Sequence, residues 1–289
     1  GVHDHYRNWL RRYGRRAYPH EVIRANVQMG VALWRQDDRN GARRFFETAT
    51  REWQRNAGER IAALDGVSDD ERALYLVRAK DATSEALFYM AEYEYEAFRQ
   101  IAFPRFHGGR NLQRVQQWAE NQFAAWLVEK REALTRAEAA YNQIAQLEIP
   151  QWEIAAAARV GEMYRSFMDQ IRGAPIPEEI ENDDELYSIY VGALEDAARP
   201  LNQQAMDKFE FCLNTATRVR WFNEYSTQCE RELNNLDRAR FPMAAELRGE
   251  ANYVQQQLAR PGAVSLEQQE DEALGAAEAG EDSSVPGAN

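Results

Sequence analysis

The sequence predicts an all-α fold of antiparallel helical hairpins with some unusually long helices. Apolar residues recur at i, i+3, i+4 and i+7 almost without interruption to about residue 258, and the alternating runs that mark half-buried strands are absent. Helix breakers also fall between the periodic segments rather than inside them, with only nine prolines in 289 residues.

The elements follow in order. A first helix over 5–13 carries closely spaced arginines, and a second over 20–36 starts behind Pro19. Asp37-Asp38-Arg39-Asn40-Gly41 reads as a reversal, after which a third helix runs over 41–63. Ser68-Asp69-Asp70-Glu71 has capping-box spacing and opens a helix of more than thirty residues, 69–102. Pro104 to Gly109 breaks the chain before a second long helix, 110–148. Pro150 starts 151–172, and Gly173-Ala174-Pro175-Ile176-Pro177 ends it. Pro200 is expected to separate a helix over 184–198 from one over 201–216, with further helices over 219–236 and, past Pro242, 243–258. Beyond that, residues 262–289 are Gly, Ala, Ser and acids with few large aliphatics, a composition too poor in apolar surface to offset the entropy of ordering. The expected organisation is a basic segment 1–19, a helical body 20–260 and an acidic disordered tail 261–289.

Charge divides the chain the same way. Residues 1–60 hold 13 Arg against 7 acids, 61–260 hold 22 bases against 33 acids, and 261–289 hold 7 acids and no base, which together make the net charge of -12. No stretch of eighteen apolar residues occurs and the mean hydropathy is -0.70, so no transmembrane segment is expected. No basic region followed by an apolar one opens the chain, which begins at Gly1; compartment is left open by this.

Self-similarity is the strongest internal signal. Gly30 is followed by Leu33, Ala42, Phe46 and Ala49; the small residues sit where two antiparallel helices touch and the large ones fill the space beside them. The second half recurs as Ala137, Tyr141, Ile144 and as Ala205, Phe209, Cys212, while Trp152, Ala155, Ala156, Gly161 and Tyr164 repeat the first half after Pro150. In these residues the chain resembles the tetratricopeptide repeat family, with degenerate repeats. The resemblance implies an α-solenoid, a non-enzymatic scaffold or adaptor that binds one or more proteins on its concave face, and no cofactor. The run through Arg159, Phe167, Pro175, Pro177, Tyr190, Leu194, Pro200, Trp221, Leu233 and Phe241-Pro242 looks like the tetratricopeptide proteins found beside bacterial cell-envelope and gliding-motility machines. That narrower resemblance implies a periplasmic or envelope-associated protein, the alternative being cytoplasmic.

Chemistry-bearing patterns are sparse. The histidines, His3, His5, His20 and His107, lack Glu-x-x-His spacing, so no metal site is expected; His20, at a helix start, reads as solvent-facing or a capping contact. Glu92, Glu94 and Glu96 spread around a helix and read as a solvated face. Candidate partner contacts are Asn26, Arg35, Arg159 and Glu162 on the first helices of the hairpins. The pair Tyr89 and Tyr93 is either core or groove lining. Arg7, Arg11, Arg12, Arg15 and Arg16, interleaved with Trp9, Tyr13 and Tyr18, form a basic patch. The acidic body would repel a polyanion, so an acidic protein partner is expected there rather than nucleic acid. Cys212 and Cys229 would fall on successive antiparallel helices and bridge if the turn lies near 220; otherwise Cys212 is a core thiol. Two further readings stand beside the scaffold: a helical-bundle enzyme or ligand-binding protein with its site between 69–102 and 110–148, and a homo-oligomer joined through head and body charges.

Overall fold

The computed structural model describes residues 2–107 and 111–243, and these are all-helical, with no strand among them. The expected helix at 243–258 and the acidic tail 261–289 lie outside the described residues apart from Met243. Eleven helices are described: α1 Val2–Tyr13, α2 Pro19–Trp34, α3 Arg39–Gln54, α4 Ala57–Ala62, α5 Asp69–Gln100, α6 Leu112–Trp118, α7 Ala124–Ala145, α8 Pro150–Arg172, α9 Glu178–Glu181, α10 Asp184–Val219 and α11 Glu224–Leu236.

Local signals start the elements. Pro19 occupies the first turn of α2, the Asp38 carboxylate accepts from Gly41 N–H to cap α3, and Ser68 and Glu71 form the expected capping box of α5. Three boundaries differ from those expected. The helix 41–63 is cut at Asn56, whose φ of 58° places it in the left-handed region that Asn tolerates better than most residues. The helix 110–148 contains a π-helical turn, Ala119–Phe123. Such a turn aligns residues five apart, and here it brings Trp118 and Phe123 into a stack at 5.3 Å, with Trp126 stacked on Phe123 at 5.6 Å and Phe103 against all three. Pro200 does not separate two helices; α10 runs through it for 36 residues. Proline in a helix interior costs about 3 kcal/mol. Here its own ring is exposed, while Ala198 and Leu201 on either side pack into the core and hold the helix on course.

Three pairs of helices form the body. In α2 and α3, a Cβ added to Gly30 would lie 2.5 Å from the Phe46 ring, so the two helices approach this closely only because that position is glycine. The same arrangement recurs in α8 and α10, where a Cβ on Gly161 would lie 2.6 Å from the ring of Phe209. Ala42 and Ala49 flank Phe46, Ala205 and Cys212 flank Phe209, and Ala137 and Ile144 flank Tyr141 on α7, all fully buried. α2 packs on α5, α5 on α8 and α8 on α11, while α3 and α7 lie against α5, and α10 against α8 and α11.

Three apolar clusters lie in these layers: one under α2, α3, α4 and the first half of α5; one between α5, α7 and α8; and one between α8, α10 and α11. The seam between α5 and α7, where a bundle site was expected as the alternative, is filled by Phe88, Ala91, Tyr95, Leu134, Ala137 and Tyr141. Lys130 closes its end. Its Nζ donates to the carbonyl oxygens of Phe98 (2.7 Å) and Ile101 (3.1 Å) at the C-terminus of α5, and burial pushes its pKa down to about 8.

Candidate protein-binding surface

The layer of first helices carries a chain of polar contacts that runs from α2 to α11. Helical spacing puts Asp81, Glu85 and Glu92 along one side of α5 and Arg159 and Glu162 on one side of α8. At one end, Arg24 of α2 donates to Glu85 (2.6 Å) and to Asp81, and Asp81 in turn accepts from Gln151 and from the Trp152 indole (2.9 Å) of α8. Burial outweighs Arg24 at Glu85 and raises its pKa.

At the other end, Glu92 accepts from the Tyr141 hydroxyl (2.6 Å) and from Arg159 Nε (3.0 Å). Arg159 Nη1 also donates to Glu162 (3.0 Å), and Glu162 accepts from Gln228 of α11 (3.4 Å). The Arg159 guanidinium lies 5.0 Å from the ring of Tyr95 and 5.5 Å from that of Tyr225. Burial disfavours its charge, yet Glu92, the tyrosines and Glu162 outweigh this and raise its pKa. Burial, then Arg159 acting against it and Glu92 with it, leaves the Tyr225 hydroxyl pushed up to about 12. Arg159 therefore clamps α5, α8 and α11 together, while Glu162, its side chain 36% exposed and also hydrogen-bonded to Tyr95, lies at the outer edge of this network.

A groove beside this edge is lined by Glu162, Asp169, Phe209, Gln228, Glu232 and Asn235, among others, from α8, α10 and α11. Arg165 also lines it and pairs with Asp169 (2.9 Å), which leaves the Glu162 and Glu232 carboxylates and the Gln228 and Asn235 amides among its further polar groups. Their oxygens accept hydrogen bonds from arginine, lysine or backbone N–H groups of a docked segment.

The other candidate residues fall in different places. Asn26 is buried and spends its amide on Val22 O (2.8 Å), within its own helix. Arg35 is exposed, near enough to Glu85 and Tyr89 to act on both. Tyr89 stacks on Phe46 at 4.9 Å, and the Tyr93 hydroxyl donates to Arg39 O (2.5 Å), so this pair fastens α5 to the α2–α3 hairpin. Arg7, Arg11, Arg12, Arg15 and Arg16 are all exposed on α1 and the turn after it. Cys212 and Cys229 are joined, Sγ to Sγ at 2.04 Å, between α10 and α11.

Two residues differ from expectation. His20 is not solvent-facing: it is 6% exposed, with its ring stacked on Tyr75 at 4.3 Å, and burial lowers its pKa. Glu92 is not on a solvated face but 9% exposed between α5, α7 and α8. Its sequence position held the signal, since it lies within the apolar stripe Phe88, Ala91, Tyr95, where a carboxylate requires partners. Asp81, Glu85, Gln151, Tyr225 and Gln228 carried no comparable signal, because each acquires its role from a helix distant in sequence.

No group of His, Cys, Asp and Glu among the described residues is placed to hold a metal ion, and no described helix is long and apolar enough to cross a membrane. Compared with protein-family models, with curated proteins and with solved structures, the chain matches none.

Proposed function

We propose that this protein is a non-enzymatic α-solenoid scaffold of degenerate tetratricopeptide-like hairpins, binding a partner protein on the surface of its first helices. The observation that supports it best is the repeated register of Gly30 on Phe46 and Gly161 on Phe209, with the first helices α2, α5, α8 and α11 laid side by side. Such a layer offers an extended surface, and its α8–α11 groove with Glu162, Gln228 and Glu232 suits a segment rich in donors, basic side chains above all. The Cys212–Cys229 bridge favours an oxidising compartment, in keeping with a periplasmic or envelope-associated adaptor.

The test is co-purification at low salt from the native cells. Glu232→Ala with Asn235→Ala is expected to lose a partner that the unaltered chain retains, with helicity and melting temperature unchanged. Retention of every partner by the double variant would overturn the reading. Arg159→Ala serves as a contrast: it leaves Glu92 buried without its cation, which costs about 3–5 kcal/mol, so binding and stability should fall together.

A further inference from the structure

Two exposed surfaces of opposite charge stand on helices that do not meet. At the C-terminal end of α1 and in the turn after it, Arg12, Arg15 and Arg16 are exposed and make no ion pair among the described residues, and Tyr13 is 53% exposed beside them. At α9 and the first turns of α10, Glu178, Asp184 and Glu185 are likewise exposed without an ion pair among the described residues. The helix then continues with two uncovered apolar side chains on the side that carries Glu185, Leu186 at 43% and Ile189 at 62% exposed, while Tyr187, 42% exposed, points to another side.

Local helix chemistry accounts for part of this. Acids stabilise the start of α10 and arginines the end of α1 through the helix dipole. It gives no reason for Leu186 and Ile189, neighbours on one side, to face water on a helix whose later half is packed into the core. Nor do the two surfaces neutralise each other within the chain. α1 packs on α2, α9 packs on α6 and α10, and no described helix packs on both.

We propose that these surfaces dock on each other between copies: the Arg12, Arg15, Arg16 and Tyr13 face of one molecule on the Glu185, Leu186 and Ile189 face of a second, with Glu178 and Asp184 near it at the same end of the helix. Both halves of the complement lie on one chain, and each sets exposed aromatic or aliphatic surface beside one sign of charge. The contact is heterologous, so it propagates head to tail into a ring or an open filament. A polyanion is the weaker occupant of the arginines, since the whole chain carries -12. This assembly goes beyond the partner-binding groove, which lies on α8 and α11 and stays free in it.

Sedimentation of the full chain over a range of protein concentrations tests it. At about 0.01 M salt, where charges still act over about 30 Å, concentration-dependent multimers are expected, and at about 1 M salt, where they act over about 3 Å, monomers. Arg12→Glu with Arg15→Glu and Arg16→Glu should weaken association by about 100-fold, and so should Asp184→Arg with Glu185→Arg. Combining both reversals in one chain should restore the multimers. Leu186→Ser with Ile189→Ser, which leaves the helix cap intact, should also give monomers of unchanged helicity. The proposal is overturned by a chain that is monomeric at low salt, by multimers that survive either reversal, or by a folded combined variant that fails to reassemble. It is also overturned if the arginine reversal abolishes binding to phosphatidylserine vesicles or to duplex DNA while leaving particle size unchanged.

Discussion

His20 shows how a single buried ring makes the molecule sensitive to pH. It stacks on Tyr75 beside Tyr18, with burial lowering its pKa, Glu21 opposing that and Arg78 adding to it. A lowered value in the folded state means that the unfolded chain binds the proton first as pH falls. Stability is therefore complete above the ordinary histidine value of about 6.5 and is lost as pH drops through the lower folded value. Melting temperatures at pH about 7 and about 5 should fall further for the natural chain than for His20→Phe, which keeps the stack and removes the proton site. Equal drops would show that the ring does not contribute. This burial does not follow from the residue's own neighbours, whereas that of Glu92 was signalled by the apolar stripe around it. His20 is covered by Tyr75, more than fifty positions away, and a residue at a helix start is ordinarily solvated.

At the scale of an element, glycine acts in opposite directions depending on what faces it. Gly161 lies against the fully buried Phe209, whereas a Cβ on Gly192 in the first half of α10 would meet nothing within 4 Å. Gly192→Ala should stabilise by up to about 1 kcal/mol through helix propensity. Gly161→Ala gains the same propensity but forces the methyl into the Phe209 ring, and a net loss of about 1–2 kcal/mol is expected. Phe209→Leu should restore part of that loss when combined with Gly161→Ala, and simple additivity in chemical denaturation would refute the contact. The Gly161 position was legible, because small residues recur in the sequence at repeat spacing. The continuity of α10 through Pro200 was not, since the local cost of proline is plain in the sequence while the packing of Ala198 and Leu201 that overrides it is tertiary.

For the molecule as a whole, the disulfide ties the last helix to the stack. It closes a stretch of 17 residues between α10 and α11, in a cluster with Ile154, Ala158, Phe209 and Leu233. Chain entropy alone makes such a link worth about 3 kcal/mol. Cys212→Ser with Cys229→Ser should lose about that much in denaturant unfolding, and a reducing agent should destabilise the natural chain but not the double variant. Arg159 joins the same layers by charge, so loss of the bridge is expected to loosen α11 and with it the groove at Gln228.

The sequence by itself determined the helical class, the starts of most helices and the small-large-small register of the hairpins, since periodicity, capping residues and glycine placement act over a few positions. It also placed the two cysteines on adjoining helices, leaving their state to the turn, which falls at Arg220 in the left-handed region. Only the tertiary structure decided which polar residues are partners. Arg159 and Glu162 were visible as polar positions on a first helix, but Glu92, 67 residues before Arg159, and Gln228, 66 after Glu162, meet them only when α5, α8 and α11 lie side by side. Burial of a charge depends on every helix packed around it, and that information lies outside any local window of sequence.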